Sequence, residues 1–354
     1  MPKPHLPQLT GLRILAALWV VFFHMALPGG WLHGFVGSAP QWIANLMLTG
    51  HCGVGLFFVL SGFILAYTYL NEDGQVDRRS FWLNRFARVY PVYLLSLIVV
   101  LPLNWEQLGG SGSVKFGMVA GLIQAWFPRF ALHWNGPAWS LSAEAFFYAV
   151  FPFILPYLVR LKRPKLGILG CVVVSAVVVV ACLFVSPELR GVRAIDDPSG
   201  LLLNILRFNP LVRLPEFVMG ICFAILLSKA PPKLHPLVPA TLLLVFIMAG
   251  AHVVPRFAFA AVLAPLFGLL IVCLASRGQV LLSTPLMVKG GEISYAVYLL
   301  HVPIAHYFQG FASGTAIWLV PSYLVVTFLV AWAAFELVEE PCRKFIRRTA
   351  GRKN

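Results

Sequence analysis

Residues 50–70 read GHCGVGLFFVLSGFILAYTYL, a run without aspartate, glutamate, lysine or arginine. An apolar stretch of about 20 residues is long enough to cross the hydrocarbon core of a bilayer as a helix. Its apolar residues are continuous and do not alternate with polar ones, which disfavours a strand of an outer-membrane barrel. The stretch therefore predicts a membrane-spanning helix.

The rest of the chain repeats this pattern. The protein has 354 residues, of which 59% are hydrophobic and 11% are charged, and its mean hydropathy is +0.83. About a quarter of the residues of an ordinary soluble domain are charged, so a soluble nucleic-acid-binding protein and a disordered or collagen-like chain are excluded. We predict an all-α, polytopic integral-membrane helical bundle. Its ten predicted spans lie near 11–28, 50–70, 89–103, 141–159, 167–185, 210–228, 236–254, 256–275, 293–311 and 316–338.

The basic residues predict the topology of this bundle. There are 27 lysines and arginines against 13 acidic residues, a net charge of +14, and cytoplasmic loops are enriched in lysine and arginine. With ten spans and both termini cytoplasmic, only seven basic residues lie outside: Lys115, Arg129, Arg190, Arg193, Arg207, Arg213 and Arg256. Segment 104–140 is then an outer-side loop in which 116–127 forms a partial or re-entrant helix. A full span there would move the basic cluster at 160–165 outside.

No stretch of the chain predicts a soluble domain. We expect a single transmembrane domain over 1–345 and a basic cytoplasmic tail over 346–354. The apolar run after Lys3 looks like a signal peptide but lacks a clear A-x-A cleavage site, so we interpret it as a retained first span. The six cysteines show no CxxC or Cys/His ligand spacing, so we predict neither a disulfide framework nor a metal site.

Two ionisable residues inside predicted spans are candidates for catalysis, because polar groups in a bilayer are costly and often functional. His24 lies eleven residues after Arg13, about 16 Å along a helix, in the outer half of the first span. Its apolar neighbours favour the neutral imidazole, which can accept a proton. Glu144, in the outer half of the fourth span, can orient such a base. The alternatives are a packing histidine and a carboxylate that is favoured by the helix dipole.

Arginines precede the third predicted span. Arg78, Arg79, Arg85 and Arg88 lie in the segment RRSFWLNRFARVYP, and Arg85 and Arg88 share one helical face. Paired guanidinium groups beside aromatic residues suit a phosphate-bearing ligand that enters from the cytoplasm. The alternative is contact with anionic lipid.

A second charged pair lies at the outer end of the sixth span. Arg213 and Glu216 are three residues apart. They form either a local ion pair or part of a site for the acceptor.

Six stretches of the chain resemble, in order, the motifs of the acyltransferase 3 family of integral-membrane acyltransferases. They are Leu9 to Ala17 with His24, Gly53 to Ile64, Arg85-x-x-Arg88 before Tyr90-Pro91, Trp139-Ser140-Leu141 to Glu144 and Tyr148, Ile293 to Pro303, and Glu336-x-x-Glu339-Glu340-Pro341. Two departures stand out. Gly55 replaces an acidic residue of many members, and we expect a stand-alone member without the SGNH-type domain that some members carry.

The resemblance implies transfer of an acyl group, usually acetyl, from cytoplasmic acyl-CoA to a hydroxyl of a glycan, exopolysaccharide, lipid-linked saccharide or glycolipid, or of a small macrolide-type product. Acyl-CoA is then a co-substrate, with no tightly bound cofactor, and the other partners are the acceptor and membrane lipids. The implied location is the bacterial cytoplasmic membrane.

The resemblance also implies roles for the candidate residues. Arg85 and Arg88, with Arg78 or Arg79, hold the CoA phosphates, and Arg13 binds the donor or steadies the oxyanion. A further expectation makes His24 the general base and Glu144 its orienting partner, with a covalent acyl-histidine relay as a variant. The weaker candidates, which helix packing also explains, are Ser61, Tyr148 and His301.

Two other functions remain open on the sequence alone. A secondary transporter or flippase of a polysaccharide precursor also fits ten spans with intramembrane His24, Glu144 and Glu216, although no internal repeat is evident. The second of these functions is that of a non-catalytic scaffold for polysaccharide assembly.

Overall fold

The computed structural model describes residues 5–109, 112–185, 201–231, 233–250, 256–277, 280–309 and 317–351. These residues form fifteen α-helices and several short 3₁₀ turns, with no strand among them. The helices are α1 Pro7–Ala26, α2 His33–Ser38, α3 Gln41–Leu48, α4 Cys52–Tyr69, α5 Arg78–Val100, α6 Gly112–Ala120, α7 Trp139–Val159, α8 Pro164–Val185, α9 Leu201–Phe208, α10 Pro210–Lys229, α11 Leu237–Gly250, α12 Arg256–Arg277, α13 Pro285–Gln309, α14 Leu319–Ala334 and α15 Glu340–Gly351. The predicted all-α bundle is therefore confirmed.

Eight helical stretches of the described chain are long and apolar enough to cross a membrane. They are Pro7–Ala26, Cys52–Tyr69, Arg78–Val100, Gly136–Val159, Pro164–Ala181, Leu201–Lys229, Ala260–Arg277 and Leu319–Ile346. The two remaining predicted spans, 236–254 and 293–311, fall on α11 and α13, which have 14 and 25 residues. The protein is thus an integral, multi-pass membrane protein.

Some predicted features lie outside the described residues. These are Lys3, Arg190, Arg193, Arg352, Lys353 and the predicted span ends at 254, 311 and 316. The described part of the predicted tail, 346–351, continues α15.

The third span begins eleven residues earlier than the sequence predicts. Helix α5 starts at Arg78 and runs through Pro91 to Val100, so Arg78, Arg85 and Arg88 lie in the helix and not in a loop before residue 89. The prediction was wrong because arginines lower the average hydropathy of this segment. Arginine is nevertheless a good helix former, and one face of a helix can carry charge while another is buried, as Phe81 and Ala87 are here.

The predicted outer-side loop folds back onto the bundle. Helix α6 has only 9 residues, about 13 Å at ~1.5 Å per residue, which is too short to cross. The Tyr93 hydroxyl donates a hydrogen bond to the Val119 carbonyl at 2.6 Å. The buried Asn135 amide donates to the Leu299 carbonyl of α13 at 2.9 Å. These contacts fix the segment against α5 and α13.

Two helix pairs form the centre of the bundle, α4 with α10 and α1 with α13. Small residues let them approach closely. A Cβ at Gly220 of α10 would overlap the Val59 carbonyl of α4, and a Cβ at Gly291 of α13 would overlap the Thr10 carbonyl of α1. This packing places α1, α4 and α13 around one interior space.

The last span contains a π-helical turn. Residues Phe335–Glu339 connect α14 to α15 in π conformation, and such turns recur at functional sites. The turn carries Glu339, which is buried, towards the basic residues of α1 and α5.

Candidate active site

One interior cavity gathers most of the polar residues that the sequence singles out. It encloses about 820 Å³ including its opening and lies between α1, α4, α5, α7 and α13. Its polar lining consists of Arg13, Ser61, Arg85, Arg88, Ser140, Glu144, Tyr148, Tyr295 and Tyr298. Aromatic and aliphatic side chains from α4, including Phe57 and Phe58, complete the wall.

Helix α7 supplies a polar ridge along this cavity. Ser140, Glu144 and Tyr148 follow one another at intervals of four residues and so share one face. They extend over about 12 Å. The Tyr148 hydroxyl donates to Oε2 of Glu144 at 2.9 Å, and Oγ of Ser61 lies 3.1 Å from the same hydroxyl. Ser61 and Tyr148 therefore hold the Glu144 carboxylate in place.

Three arginines give the cavity a positive charge. Arg85 and Arg88 of α5 and Arg13 of α1 all line it. Arg13 interacts electrostatically with Arg88 and with the carboxylates of Glu339 and Glu144. Three guanidinium groups outnumber these two carboxylates, and charge interactions are stronger in a partly enclosed site than in water. The cavity is suited to an anionic ligand, because guanidinium groups bind phosphate and carboxylate oxygens in pairs.

Arg78 lies apart from these three arginines. Its side chain is exposed at the start of α5, and its guanidinium stacks over the Phe153 ring, 4.5 Å from the ring centroid. It is not among the residues that line the cavity.

Arg213 and Glu216 form a buried ion pair. Nη2 of Arg213 lies 2.9 Å from Oε2 of Glu216, and the two residues are only 6% and 2% exposed. The Arg213 guanidinium also faces the rings of Phe58 and Trp139, 5.5 and 5.8 Å from their centroids. The pair lies behind α4 as seen from the cavity, because the Cβ position of Gly55 is 3.1 Å from Oε2 of Glu216.

His24 has a different neighbour from the one that the sequence predicts. Its Nδ1 lies 3.1 Å from Nε2 of His301 and 2.9 Å from the Val20 carbonyl oxygen. Glu144 contacts Tyr148 and lines the cavity, which His24 does not. The contacts that the structure describes for Glu144 and for His24 are therefore with different partners. Glu144 instead lines the same cavity as Arg13, Arg85 and Arg88 and interacts electrostatically with them.

Helix α13 connects the cavity to His24 through three side chains on one face. The Tyr295 hydroxyl donates to the carbonyl of Val89, next to Arg88, at 2.7 Å. The Tyr298 hydroxyl lies 2.8 Å from Oγ of Ser140. His301, one turn further along, contacts His24. The histidine pair therefore lies about one helical turn, ~5 Å, beyond the Ser140 end of the cavity.

Sequence reasoning missed four of these positions as site residues, Ser140 and three others. Tyr295 and Tyr298 lie in the Ile293–Pro303 motif and Glu339 in the last motif, but no local pattern shows that they face the arginines. Their spacing of three residues, 295, 298 and 301, was the available signal that they share a helical face.

Fold and site together define a multi-pass membrane protein with a cationic cavity and, close to it, a buried pair of histidines. Comparison with known proteins identifies the family to which the protein belongs. The model of the acyltransferase 3 family, described as "Acyltransferase domain", matches residues 6–336, and the chain belongs to this family. The protein is an acyltransferase, which favours catalysis over the transporter, flippase and scaffold alternatives.

The names of similar proteins are consistent with membership of this family. Acyltransferase MdmB of Streptomyces mycarofaciens is 33% identical over 370 aligned residues, which cover 97% of this chain and 93% of the relative. Peptidoglycan O-acetyltransferase OatA of Listeria monocytogenes is 27% identical over 388 aligned residues, covering 97% of this chain and 56% of OatA. A putative O-acetyltransferase of Staphylococcus aureus, SACOL0978, is 24% identical over 384 aligned residues, 96% of this chain and 58% of the relative. The chain thus spans little more than half of the last two proteins. No solved structure matches the chain significantly.

Proposed function

We propose that the protein is an O-acyltransferase that moves an acetyl group from cytoplasmic acyl-CoA to a hydroxyl of a glycan, exopolysaccharide or glycolipid, with His24 as the general base. We further propose that residues 1–345 act as one membrane domain in a bacterial cytoplasmic membrane, with both termini cytoplasmic. The observation that carries the proposal is the convergence of Arg13, Arg85 and Arg88 on one cavity.

The charge of the cavity supports acyl-CoA as the donor. CoA is polyanionic at its phosphates and neutral along its pantetheine arm. The excess of guanidinium over carboxylate around Arg13 and Arg88 matches the phosphate end. The apolar and hydroxyl-bearing wall, with Phe57 and Ser140, matches the arm.

The spacing along α1 supports a reaction at His24. Arg13 lies eleven residues before His24, about 16 Å along the helix. A donor whose phosphates are held near Arg13 therefore extends its thioester past Ser140 and Tyr298 towards the histidines. His24 removes the proton of the acceptor hydroxyl while the hydroxyl oxygen attacks the thioester carbonyl carbon. The carbon–sulfur bond then breaks, and the CoA thiolate receives the proton from His24.

Glu144 acts in this proposal on the cavity arginines and not as a direct partner of His24. Its carboxylate, held by Tyr148, lies among the arginines. There it offsets the repulsion between the guanidinium groups, because Arg13 interacts with both Arg88 and Glu144. The acceptor class rests on the relatives, of which one is named for O-acetylation of peptidoglycan.

The experiment that tests the function compares surface glycans by mass spectrometry in a deletion strain complemented with wild type or with His24→Ala. Wild type restores an acetyl mass increment and a base-labile acetate, and His24→Ala does not restore them at equal membrane abundance. Glycans that are identical in the deletion strain and the wild-type strain would contradict a glycan acceptor. Full acetylation by His24→Ala would contradict the role of His24.

A further inference from the structure

Two histidines from distant parts of the sequence meet inside the helical bundle. His24 of α1 and His301 of α13 have ring centroids 4.9 Å apart, and Nε2 of His301 lies 3.1 Å from Nδ1 of His24. His301 is only 1% exposed. Two imidazoles at hydrogen-bonding distance must share one proton between the facing nitrogens, so the contact restricts the protonation of both rings.

The surroundings of His301 show which of its nitrogens carries the proton. Nδ1 of His301 lies 2.7 Å from the carbonyl oxygen of Tyr298, which can only accept a hydrogen bond, so Nδ1 is the protonated nitrogen. Within the described part of the chain, the groups that act on His301 electrostatically are His24 and the backbone of Tyr298 and Val297, and none of them is negatively charged. A buried imidazole without an anionic partner is neutral. Nε2 of His301 is therefore a lone-pair acceptor.

The same reasoning gives the tautomer of His24. Its Nδ1 faces two acceptors, the Val20 carbonyl oxygen at 2.9 Å and Nε2 of His301 at 3.1 Å. A lone pair on Nδ1 would face two other lone pairs, so Nδ1 bears the hydrogen. The basic lone pair of His24 is consequently on Nε2.

We infer that His301 is a positioning residue for His24: its Nε2 accepts a hydrogen bond from Nδ1 of His24, sets the ring orientation, and stabilises the imidazolium that forms when Nε2 of His24 takes a proton. The inference rests on the proposed role of His24 as the base. In many enzymes a carboxylate accepts the hydrogen bond from a catalytic histidine, and here a neutral imidazole takes that place. An imidazole suits an apolar site because it adds no second buried charge.

The proton balance of this step is simple. The acceptor hydroxyl gives its proton to Nε2 of His24, and a bond forms between its oxygen and the acyl carbon. The carbon–sulfur bond of the thioester breaks, its electron pair stays on sulfur, and Nε2 of His24 returns the proton to that sulfur. His301 begins and ends the cycle as the same neutral tautomer.

The backbone around His301 is fixed by independent contacts, as a positioning residue requires. Its carbonyl accepts a hydrogen bond from the Tyr323 hydroxyl at 2.9 Å. The Tyr298 hydroxyl, one turn earlier, donates to the Pro137 carbonyl at 2.9 Å. Because α13 is held at both points, the His301 ring has little freedom to turn away from His24.

The test replaces His301 by leucine, which removes the acceptor, and by glutamine, whose side-chain amide places an oxygen close to the position of Nε2. Turnover of acetyl-CoA by the purified full-length protein is measured in nanodiscs that contain its native membrane lipids and glycans. His301→Leu should lower kcat roughly 10- to 100-fold, the range found when the hydrogen-bond partner of a metal-binding histidine is removed. KM for acetyl-CoA should stay within about twofold, since the cavity arginines are untouched, and His301→Gln should recover most of kcat.

A second measurement, ¹⁵N NMR, reports on the protonation of the His24 ring. In protein labelled with [¹⁵N]histidine, the His24 signals are identified by their loss in His24→Ala. We expect a protonated Nδ1 and an unprotonated Nε2 in wild type, and a changed Nδ1 shift in His301→Leu. The control is His306→Gln, an exposed histidine on the same helix, which should change neither kcat nor the His24 signals.

The outcomes separate this inference from the proposed function. If His24→Ala is inactive while His301→Leu keeps full kcat, the inference about His301 is overturned and the base assignment stands. Equal losses in His301→Leu and His301→Gln, or a wild-type His24 with its lone pair on Nδ1, would also overturn it. If His24→Ala itself turns over normally, the proposed function of His24 fails first.

Discussion

The Tyr148 hydroxyl donates a 2.9 Å hydrogen bond to Oε2 of Glu144, four residues earlier on the same face of α7. This bond fixes the carboxylate inside a cavity that also holds three arginines. The relationship matters because a carboxylate in a fixed position sets where the guanidinium groups point. In the function proposed above, Glu144 belongs to the donor end of the site, and the histidine pair to the end where the acyl group is transferred.

Removing this bond should weaken the use of acyl-CoA. We expect Tyr148→Phe to raise KM for acetyl-CoA several-fold, because Glu144 loses a buried hydrogen bond to a charged group, worth about 1.5–3 kcal/mol. Steady-state kinetics of purified protein provide the measurement. Tyr157→Phe is the matched control on the same helix, since Tyr157 is 71% exposed. An unchanged KM in Tyr148→Phe would show that the Glu144–Tyr148 bond has no part in donor binding.

The arginines of α5 should differ in their effect on donor binding. Acetyl-CoA at about 100 times its Kd should stabilise the wild-type protein by about 2.7 kcal/mol, seen as a rise in Tm. Arg85→Ala and Arg88→Ala should remove most of that rise. Arg78→Ala should keep it, because Arg78 lies over Phe153 outside the cavity. Equal losses in all three variants would indicate a general charge effect and not a site.

The buried ion pair of α10 should be important for stability. Arg213→Ala or Glu216→Ala should lower the free energy of unfolding by about 3–5 kcal/mol, because each leaves an unpaired buried charge. The double variant Arg213→Met/Glu216→Leu should recover much of the loss. Glu292→Gln breaks an exposed pair with Lys289, in which the side chains are 43% and 42% exposed, and should cost at most about 1 kcal/mol. Denaturant titration in detergent measures all four. A double variant as unstable as the single ones would contradict the buried-charge explanation.

Replacement by alanine should change the stability of the protein in opposite directions at two glycines, one in the contact between α4 and α10 and one outside it. Gly220→Ala should destabilise the protein, since its Cβ would overlap the Val59 carbonyl. Gly170→Ala on α8, where a Cβ meets nothing within 4 Å, should raise stability by up to about 1 kcal/mol because alanine is the better helix former. Thermal unfolding of the two variants tests this. A Gly220→Ala variant as stable as wild type would show that α4 and α10 do not pack closely at Gly220.

Much of the fold follows from the sequence because helix length and apolar composition are local properties. The start of α5 does not follow, since hydropathy averages over all sides of a helix and so hides a charged face beside a buried one. Arg85 and Arg88 fall on that face, which is why they belong to a span and not to a loop.

The site is partly predictable for a similar reason. The ridge of Ser140, Glu144 and Tyr148 follows from helical spacing, and so does the pairing of Arg213 with Glu216. The contact between His24 and His301 joins residues 277 positions apart, and only the packing of α1 against α13 creates it. That packing also gives His24 an imidazole as its partner instead of the carboxylate of Glu144.

In the proposed function, acyl transfer depends on His24 and on a donor held by the cavity arginines. The measurement is release of the CoA thiol from acetyl-CoA by purified wild-type protein and by His24→Ala, both in nanodiscs whose native membrane lipids and glycans supply the acceptor hydroxyl, with Tm and monodispersity showing that both are folded. We predict release by wild type and a loss of at least about 100-fold in His24→Ala, in line with the contribution of a general base. If folded His24→Ala releases the CoA thiol at the wild-type rate, His24 is not the general base of the reaction.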